Sequence, residues 1–286
     1  MNQLNIFIEL TRLNKPIGYM LLFWPCSWGL AYAYYVNQNT EVFIYYLILF
    51  FLGAVLMRSA GCIVNDIIDK DFDKRVKRTK NRPIASKKIS IFYSLLYVAI
   101  LCSLALLILI QFNFLTILLG IISMIPAFLY PYMKRITYWP QLFLGFTFNW
   151  GIIMAWTASN GYLNYEIILL YMSAIFWTLG YDTIYGVQDI YDDEIIGLKS
   201  TAIKFKKNIK KFISMTYIAT ILILFYLFRD LVDFNIFTLF LLTFAFSLYY
   251  QIRSFKKNKP KECLRLFKLN NISGSILFLA LISINL

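Results

Sequence analysis

Nine blocks of apolar residues dominate this chain: 17–36, 42–64, 89–110, 114–132, 139–158, 165–188, 209–228, 234–252 and 264–285. As a helix rises 1.5 Å per residue, a block of about 20 residues spans the roughly 30 Å hydrocarbon core of a bilayer. A membrane β-barrel would show alternating segments of about 10 residues instead. Only 15% of the 286 residues are charged, against about a quarter in soluble domains. The pattern predicts an all-α polytopic membrane protein: one transmembrane domain over 1–286, with nine spanning helices.

The segments that join the blocks alternate in character. Four are short and nearly uncharged (37–41, 111–113, 159–164 and 229–233), whereas 70–88, 134–135, 199–211 and 253–268 are basic. All but two of the 28 Lys and Arg lie in the basic segments or near the N-terminus; the exceptions are Arg229 and Arg58. Positive loops stay cytoplasmic, so the N-terminus and basic loops are expected inside and the C-terminus on the far side. An odd number of spans is needed to keep that alternation. The net charge of +13 then reflects orientation and anionic lipid rather than nucleic acid. No protein partner is inferred.

The first 16 residues lack the ordered regions of a signal peptide, because Glu9, Arg12 and Lys15 interrupt the apolar run. Leu4, Phe7, Ile8 and Thr11 fall at helical spacing, which predicts a short interfacial helix within 1–16. With no His, and with Cys26, Cys62, Cys102 and Cys263 far apart, neither a zinc site of Cys/His type nor a disulfide framework is expected.

Nine of the 15 acidic residues gather in two clusters. The first, Asp66, Asp69, Asp71 and Asp73, lies where a block runs into the most basic loop; the second, Asp182, Asp189, Asp192, Asp193 and Glu194, ends another block. On a continuous helix with Asp66 at zero, Asp73 falls at about −20°, Asp69 at about −60° and Asn65 at about −100°. Asp71 falls at about +140°, to pair with solvent or a nearby Lys. By the same geometry Asp182, Asp189 and Asp193 lie within about 40° of one another, with Tyr185 one turn on from Asp182. Two such stripes repel themselves unless neutralised, and hard divalent cations fit. Mg²⁺ takes oxygen ligands and usually meets protein through one or two carboxylates plus substrate phosphates. Arg75, Arg78, Arg82 and Lys199 would bring further charge to a diphosphate. Arg58 lies about 12 Å deeper on the first helix, where a buried Arg faces an interior cavity; its partner is either an aromatic carboxylate substrate or another side chain.

These residues resemble the UbiA superfamily of intramembrane prenyltransferases. One motif reads Arg58-Ser-Ala-Gly61-Cys-Ile-Val-Asn65-Asp66-x-x-Asp69-x-x-x-Asp73, followed by Val76-Lys-Arg78-Thr79-Lys-Asn81-Arg82-Pro83. The other reads Tyr181-Asp182-Thr183-x-Tyr185-x-x-x-Asp189-x-x-Asp192-Asp193, then Gly197-Leu-Lys199-Ser200-Thr201-Ala202. Lys15-Pro16-Ile17-Gly18, Trp24-Pro25 and Tyr130-Pro131-Tyr132-Met133-Lys134-Arg135 are lesser matches. Together these blocks run over about two-thirds of the chain, and the last three spans match only in hydropathy.

The resemblance implies nine helices around a cavity that opens laterally to lipid, with loops capping it on the cytoplasmic side of a bacterial inner membrane or its equivalent. It implies Mg²⁺ bridging a polyprenyl diphosphate to Asp69, Asp73, Asp189 and Asp193, flanked by Asn65 and Asp66. Lys134, with Asn65, Arg75, Arg78, Arg82 and Lys199, would hold the diphosphate; Arg58, Asn65, Tyr130 and Tyr185 would hold the aromatic acceptor. The Arg-Ser-Ala-Gly-Cys and Tyr-Asp-Thr flanks resemble the branch that prenylates 4-hydroxybenzoate in ubiquinone biosynthesis. There the ring carbon ortho to the hydroxyl is prenylated, and Asp182 or Asp189 would take a proton. Other acceptors, those of the menaquinone, tocopherol, haem O or chlorophyll pathways, share the acidic motifs. A cation or lipid transporter would place its charges near the midplane, not at one face, and a soluble isoprenyl diphosphate synthase would lack the spans.

Overall fold

In a computed structural model, residues 3–76 and 79–285 are described, and among them the secondary structure is helical throughout. The helices are α1 (Gln3–Thr11), α2 (Ile17–Asn37), α3 (Thr40–Ile68), α4 (Lys70–Asp73), α5 (Ile91–Leu109), α6 (Phe114–Ile136) and α7 (Pro140–Asn160). They continue with α8 (Tyr165–Gly186), α9 (Ile190–Ile195), α10 (Thr201–Lys204), α11 (Ile209–Leu227), α12 (Ile236–Ser254) and α13 (Pro260–Ile282). Nine of these, among the described residues, have 19 residues or more, one for each apolar block. Eight are long and apolar enough to cross a membrane by composition; α2 falls outside that set, being dense in Tyr and Trp and carrying Pro25. The chain is an integral membrane protein.

Local chemistry sets the helix starts. Asn39, Ser90, Asn113, Asn164 and Asn235 are extended, and each side chain accepts the N–H three residues on. Such caps satisfy a donor that the first turn leaves open. All but Ser90 lie in or just beyond the weakly charged connections, so the end of the bundle opposite the basic loops is turned mainly by Asn.

α2 packs on α3, α7 and α13, and α8 packs on α7, α11 and α13. These contacts bury Trp28, Trp156, Trp177, Tyr181 and Tyr217. By contrast α5 packs chiefly on α3 and α6 on α7, the two hardly touching, and Phe92, Leu107, Ile125 and Leu129 stand exposed. Apolar surface of this extent belongs against lipid. Close packing needs glycine at Gly274, where a Cβ would come within 2.5 Å of the Trp24 ring.

A buried polar network ties the last three spans to α8. Trp177 donates to Asn270 (2.9 Å), Asn270 donates to Gln251 (3.0 Å), and Tyr217 donates to Gln251 (2.8 Å). In a bilayer such bonds hold helices that the hydrophobic effect cannot pull together.

α1 does form, but its buried side chains are Ile6, Leu10 and Thr11, and Leu4 is exposed. The helix turns that face onto Ala60 and Ile63 of α3, together with Ile84 and Leu101.

Candidate functional site

Both acidic motifs sit where a long helix breaks. α3 stops at Ile68, and Asp69 is the joint (φ −94°, ψ 4°) before the short α4. α8 stops at Gly186, and Val187–Asp189 form a 3₁₀ turn before α9. The continuous stripes expected from 100° per residue are therefore corrected: each motif is a helix end, a joint and a short helix. The reason is local. Near the headgroups, carboxylates can leave the helical ladder and meet cations from other elements. Asp71 does point away, paired with Lys74 at 2.9 Å.

The first motif is deeply buried and fully engaged. Asp66 is 2% exposed and accepts from Arg12 of the α1–α2 turn at 2.5 Å and from Arg82 at 3.0 Å. The same Arg82 nitrogen reaches Asp73 at 2.8 Å. Asp69 accepts from Lys134 at the end of α6 and from Arg135 at 3.4 Å. Arg135 also donates to the Ile68 carbonyl at 2.8 Å and lies over the Phe72 ring at 4.8 Å. The carbonyls that end α3 thus meet a cation, as a helix C-terminus favours. Arg12 is held in the left-handed region (φ 57°). Burial alone lowers the pKa of its guanidinium, but Asp66, helped by Cys62, Tyr185 and Asp73, raises it above the ordinary value. Arg12 is therefore a permanent cation at this mouth.

The second motif faces the same space. Tyr130 of α6 lies within electrostatic reach of Asp69 in the first motif and of Asp182 and Tyr185 in the second. The Tyr185 ring packs on Phe267 of α13 at 4.7 Å. Asp189 closes the 3₁₀ turn, and the Asp193 carbonyl accepts from the Leu198 N–H at 2.8 Å. The segment that follows is bolted down: the hydroxyls of Thr201 and Thr183 meet at 2.7 Å, and the Thr201 N–H donates to Gln141 of α7 at 2.9 Å.

Below both motifs lies Arg58. Its guanidinium sits over the Phe148 ring at 5.3 Å, its Nε is buried with no hydrogen-bond partner, and Asp182 is within electrostatic reach. Gly18 of α2 makes the room, since a Cβ there would lie 2.9 Å from that Nε.

Other expected positions are dispersed. Asn65 is half-buried and its carbonyl accepts the Asp69 N–H at 2.9 Å. Arg75 is exposed on the loop, and Arg78 lies outside the described residues. Lys199 turns onto the end of α6, its ammonium donating to the Ile136 carbonyl at 3.1 Å and its backbone N–H to Lys134 at 2.7 Å. Arg12 and Arg135 are the cations at the first motif to which sequence reasoning gave no role. For Arg135 the signal was adjacency to Lys134; for Arg12 nothing local points 54 positions ahead.

The donors are all hard carboxylate oxygens, which suits a hard divalent cation. Among the described residues no three His, Cys, Asp or Glu side chains converge as a ready-made cage. That fits an ion held by one or two carboxylates per motif and completed by a ligand's own phosphate oxygens.

The sequence profile of the UbiA prenyltransferase family matches residues 22–273. The 4-hydroxybenzoate polyprenyltransferase, mitochondrial, of Bos taurus is 43% identical over 286 residues, which cover 98% of this chain and 75% of that protein. The apo structure of a UbiA homolog from Aeropyrum pernix K1 shares the fold with TM-score 0.77 at 22% identity, covering 91% of this chain and 96% of that one. A UbiA homolog from Archaeoglobus fulgidus bound to GPP and Mg²⁺ gives TM-score 0.72 at 16% identity, covering 97% and 99%. With two acidic helix breaks facing one cation-lined mouth and a match over most of its length, the chain belongs to the UbiA prenyltransferase family.

Proposed function

We propose that the protein transfers a polyprenyl group from polyprenyl diphosphate to the ring carbon ortho to the hydroxyl of 4-hydroxybenzoate. The products are 3-polyprenyl-4-hydroxybenzoate and diphosphate, in ubiquinone biosynthesis. The observation that carries the reading is Arg58, with its buried, unpartnered Nε beneath two carboxylate motifs. It offers a cation for the acceptor's carboxylate inside an apolar bundle, where an isolated charge is otherwise expensive. The relative's name and the GPP and Mg²⁺ in the Archaeoglobus homolog point the same way.

Asp69, Asp73, Asp189 and Asp193 would hold Mg²⁺, which when bound supplies the Lewis-acid charge that weakens the allylic C–O bond. Arg12, Arg82 and Lys134, now on carboxylates, can turn to the departing diphosphate as it takes the electron pair of that bond. Arg75, exposed on the loop, would add to the same field. Aromatic faces at Tyr130, Phe148 and Tyr185 suit a transient allylic cation, and the apolar walls keep out water that would quench it. The ring of the acceptor, anchored on Arg58, forms the new C–C bond. Asp182 or Asp189 takes the displaced ring proton. The motifs lie at the cytoplasmic face of a bacterial plasma membrane or its equivalent, and the prenyl tail runs out into the bilayer.

The test is incubation of membranes holding the protein with labelled 4-hydroxybenzoate, Mg²⁺ and a polyprenyl diphosphate. Label should enter a lipid-soluble product. A folded protein that leaves the label in water, yet prenylates a different aromatic acceptor, removes the acceptor assignment.

A further inference from the structure

The loop between α12 and α13 carries a second basic site, joined to the segment that follows the second acidic motif where the Lys257 ammonium donates to the Lys206 carbonyl at 2.9 Å. Arg253, Ser254, Lys256, Lys259 and Glu262 line a concavity of about 390 Å³ at the cytoplasmic ends of these two helices. The one acid there, Glu262, is taken by Arg265 of the next turn, whose guanidinium also reaches the Tyr250 hydroxyl at 3.2 Å. Among the described residues Arg253, Lys256 and Lys259 form no ion pair; the cations of the 70–88 loop offer a contrast, as Lys74 and Arg82 are committed to carboxylates.

The loop is not a loose tether. Phe255 is buried, and Lys259 opens α13 with its carbonyl accepting the Glu262 N–H at 3.0 Å and the Cys263 N–H at 3.1 Å. One to two turns back along α12, Tyr250, Tyr249 and Phe246 are exposed. Tyr at the end of a span marks the headgroup layer, and an exposed Phe just below marks the start of the acyl region. The orientation rule accounts for the sign of this loop. It does not account for a concave pocket with uncommitted cations directly above a lipid-facing aromatic pair.

We propose that this pocket binds the phosphate-bearing headgroup of an anionic phospholipid, with its acyl chains running down past Tyr249 and Phe246. A single negative charge with several acceptor oxygens matches the cations and the Ser254 hydroxyl. The adjoining apolar face of α12 distinguishes a lipid from a soluble anion. The proposal is independent of the acceptor and the reaction.

The test uses the full chain in phosphatidylcholine vesicles containing a photoactivatable phosphatidylglycerol, with the matching phosphatidylcholine probe as reference. Label should concentrate in residues 246–265 with the anionic probe. In the triple variant Arg253→Gln, Lys256→Gln, Lys259→Gln it should fall by about five-fold for each charge removed. A second variant, Lys80→Gln, Lys87→Gln, Lys88→Gln, removes equal charge from the exposed 70–88 loop and should leave this labelling intact. Equal losses in both variants would mean a diffuse field and overturn the site. Labelling that inorganic phosphate competes away would mean a free-anion site and overturn the lipid assignment. Melting temperature checks that both variants fold, and unchanged labelling in a folded first variant also refutes the proposal.

Discussion

Replacing Arg82 with Ala should loosen the mouth of the bundle before any chemistry is considered. One Arg82 nitrogen bridges Asp66 at 3.0 Å and Asp73 at 2.8 Å, and these carboxylates are 2% and 10% exposed. Breaking a buried pair by removing one partner costs about 3–5 kcal/mol. Arg12 stays on Asp66 and Arg82 is itself 22% exposed, so about 2–3 kcal/mol is the reasoned loss. The melting temperature of the purified chain in detergent should fall by roughly 5–10 °C. The remaining carboxylates then repel with one counter-ion fewer, so added Mg²⁺ should raise the melting temperature more in Arg82→Ala than in the parent. Arg82→Lys should recover part of the loss, since a point charge reaches one carboxylate but lacks the guanidinium's spread of donors. A variant that melts with the parent and responds to Mg²⁺ no more than the parent refutes the reasoning, because the bridge would then hold nothing.

Three further outcomes rest on the same geometry. Asp73→Ala and Asp193→Ala should each abolish prenyl transfer in a membrane assay while leaving the chain inserted; parent-like rates in either would detach that motif from the reaction. Arg58→Ala should raise KM for the aromatic acid by more than ten-fold, taking about 1.5–3 kcal/mol for a charged hydrogen bond, and should barely move KM for the diphosphate. Gly18→Ala, whose methyl would crowd the Arg58 Nε, should shift the same KM in the same direction. Equal shifts for both substrates would sink the anchoring role.

The spans were legible because bilayer thickness writes itself into block length. The block 114–132 became Phe114–Ile136 and 42–64 became Thr40–Ile68, both overshooting at the ends next to the basic and acidic clusters, where polar residues continue the helix past the apolar signal. Charge asymmetry and clustering marked the site's face. Arg12 was not legible, since an ion pair with Asp66 joins segments separated by two spans. Lys199 misled because a Lys beside an acidic motif can equally end a neighbouring helix, as it does at Ile136. Helix breaks at Asp69 and at Val187–Asp189 escape a constant-angle projection by construction. Gln251 and Asn270 were visible as polar residues inside apolar runs. The rule that intramembrane polar groups seek partners could have linked them to Trp177.

That linkage bears on how the protein is made. Asn270 and Gln251 belong to the last hairpin to enter the membrane, whereas Trp177 and Tyr217 enter earlier on α8 and α11. Until the hairpin arrives, α8 has its seat on α7 and α11, but the Trp177 indole and the Tyr217 phenol wait in lipid without these acceptors. The last step of assembly is therefore a polar one: a nascent chain has both acidic motifs early, but its buried Trp177–Asn270–Gln251–Tyr217 network closes only when its final two helices are inserted.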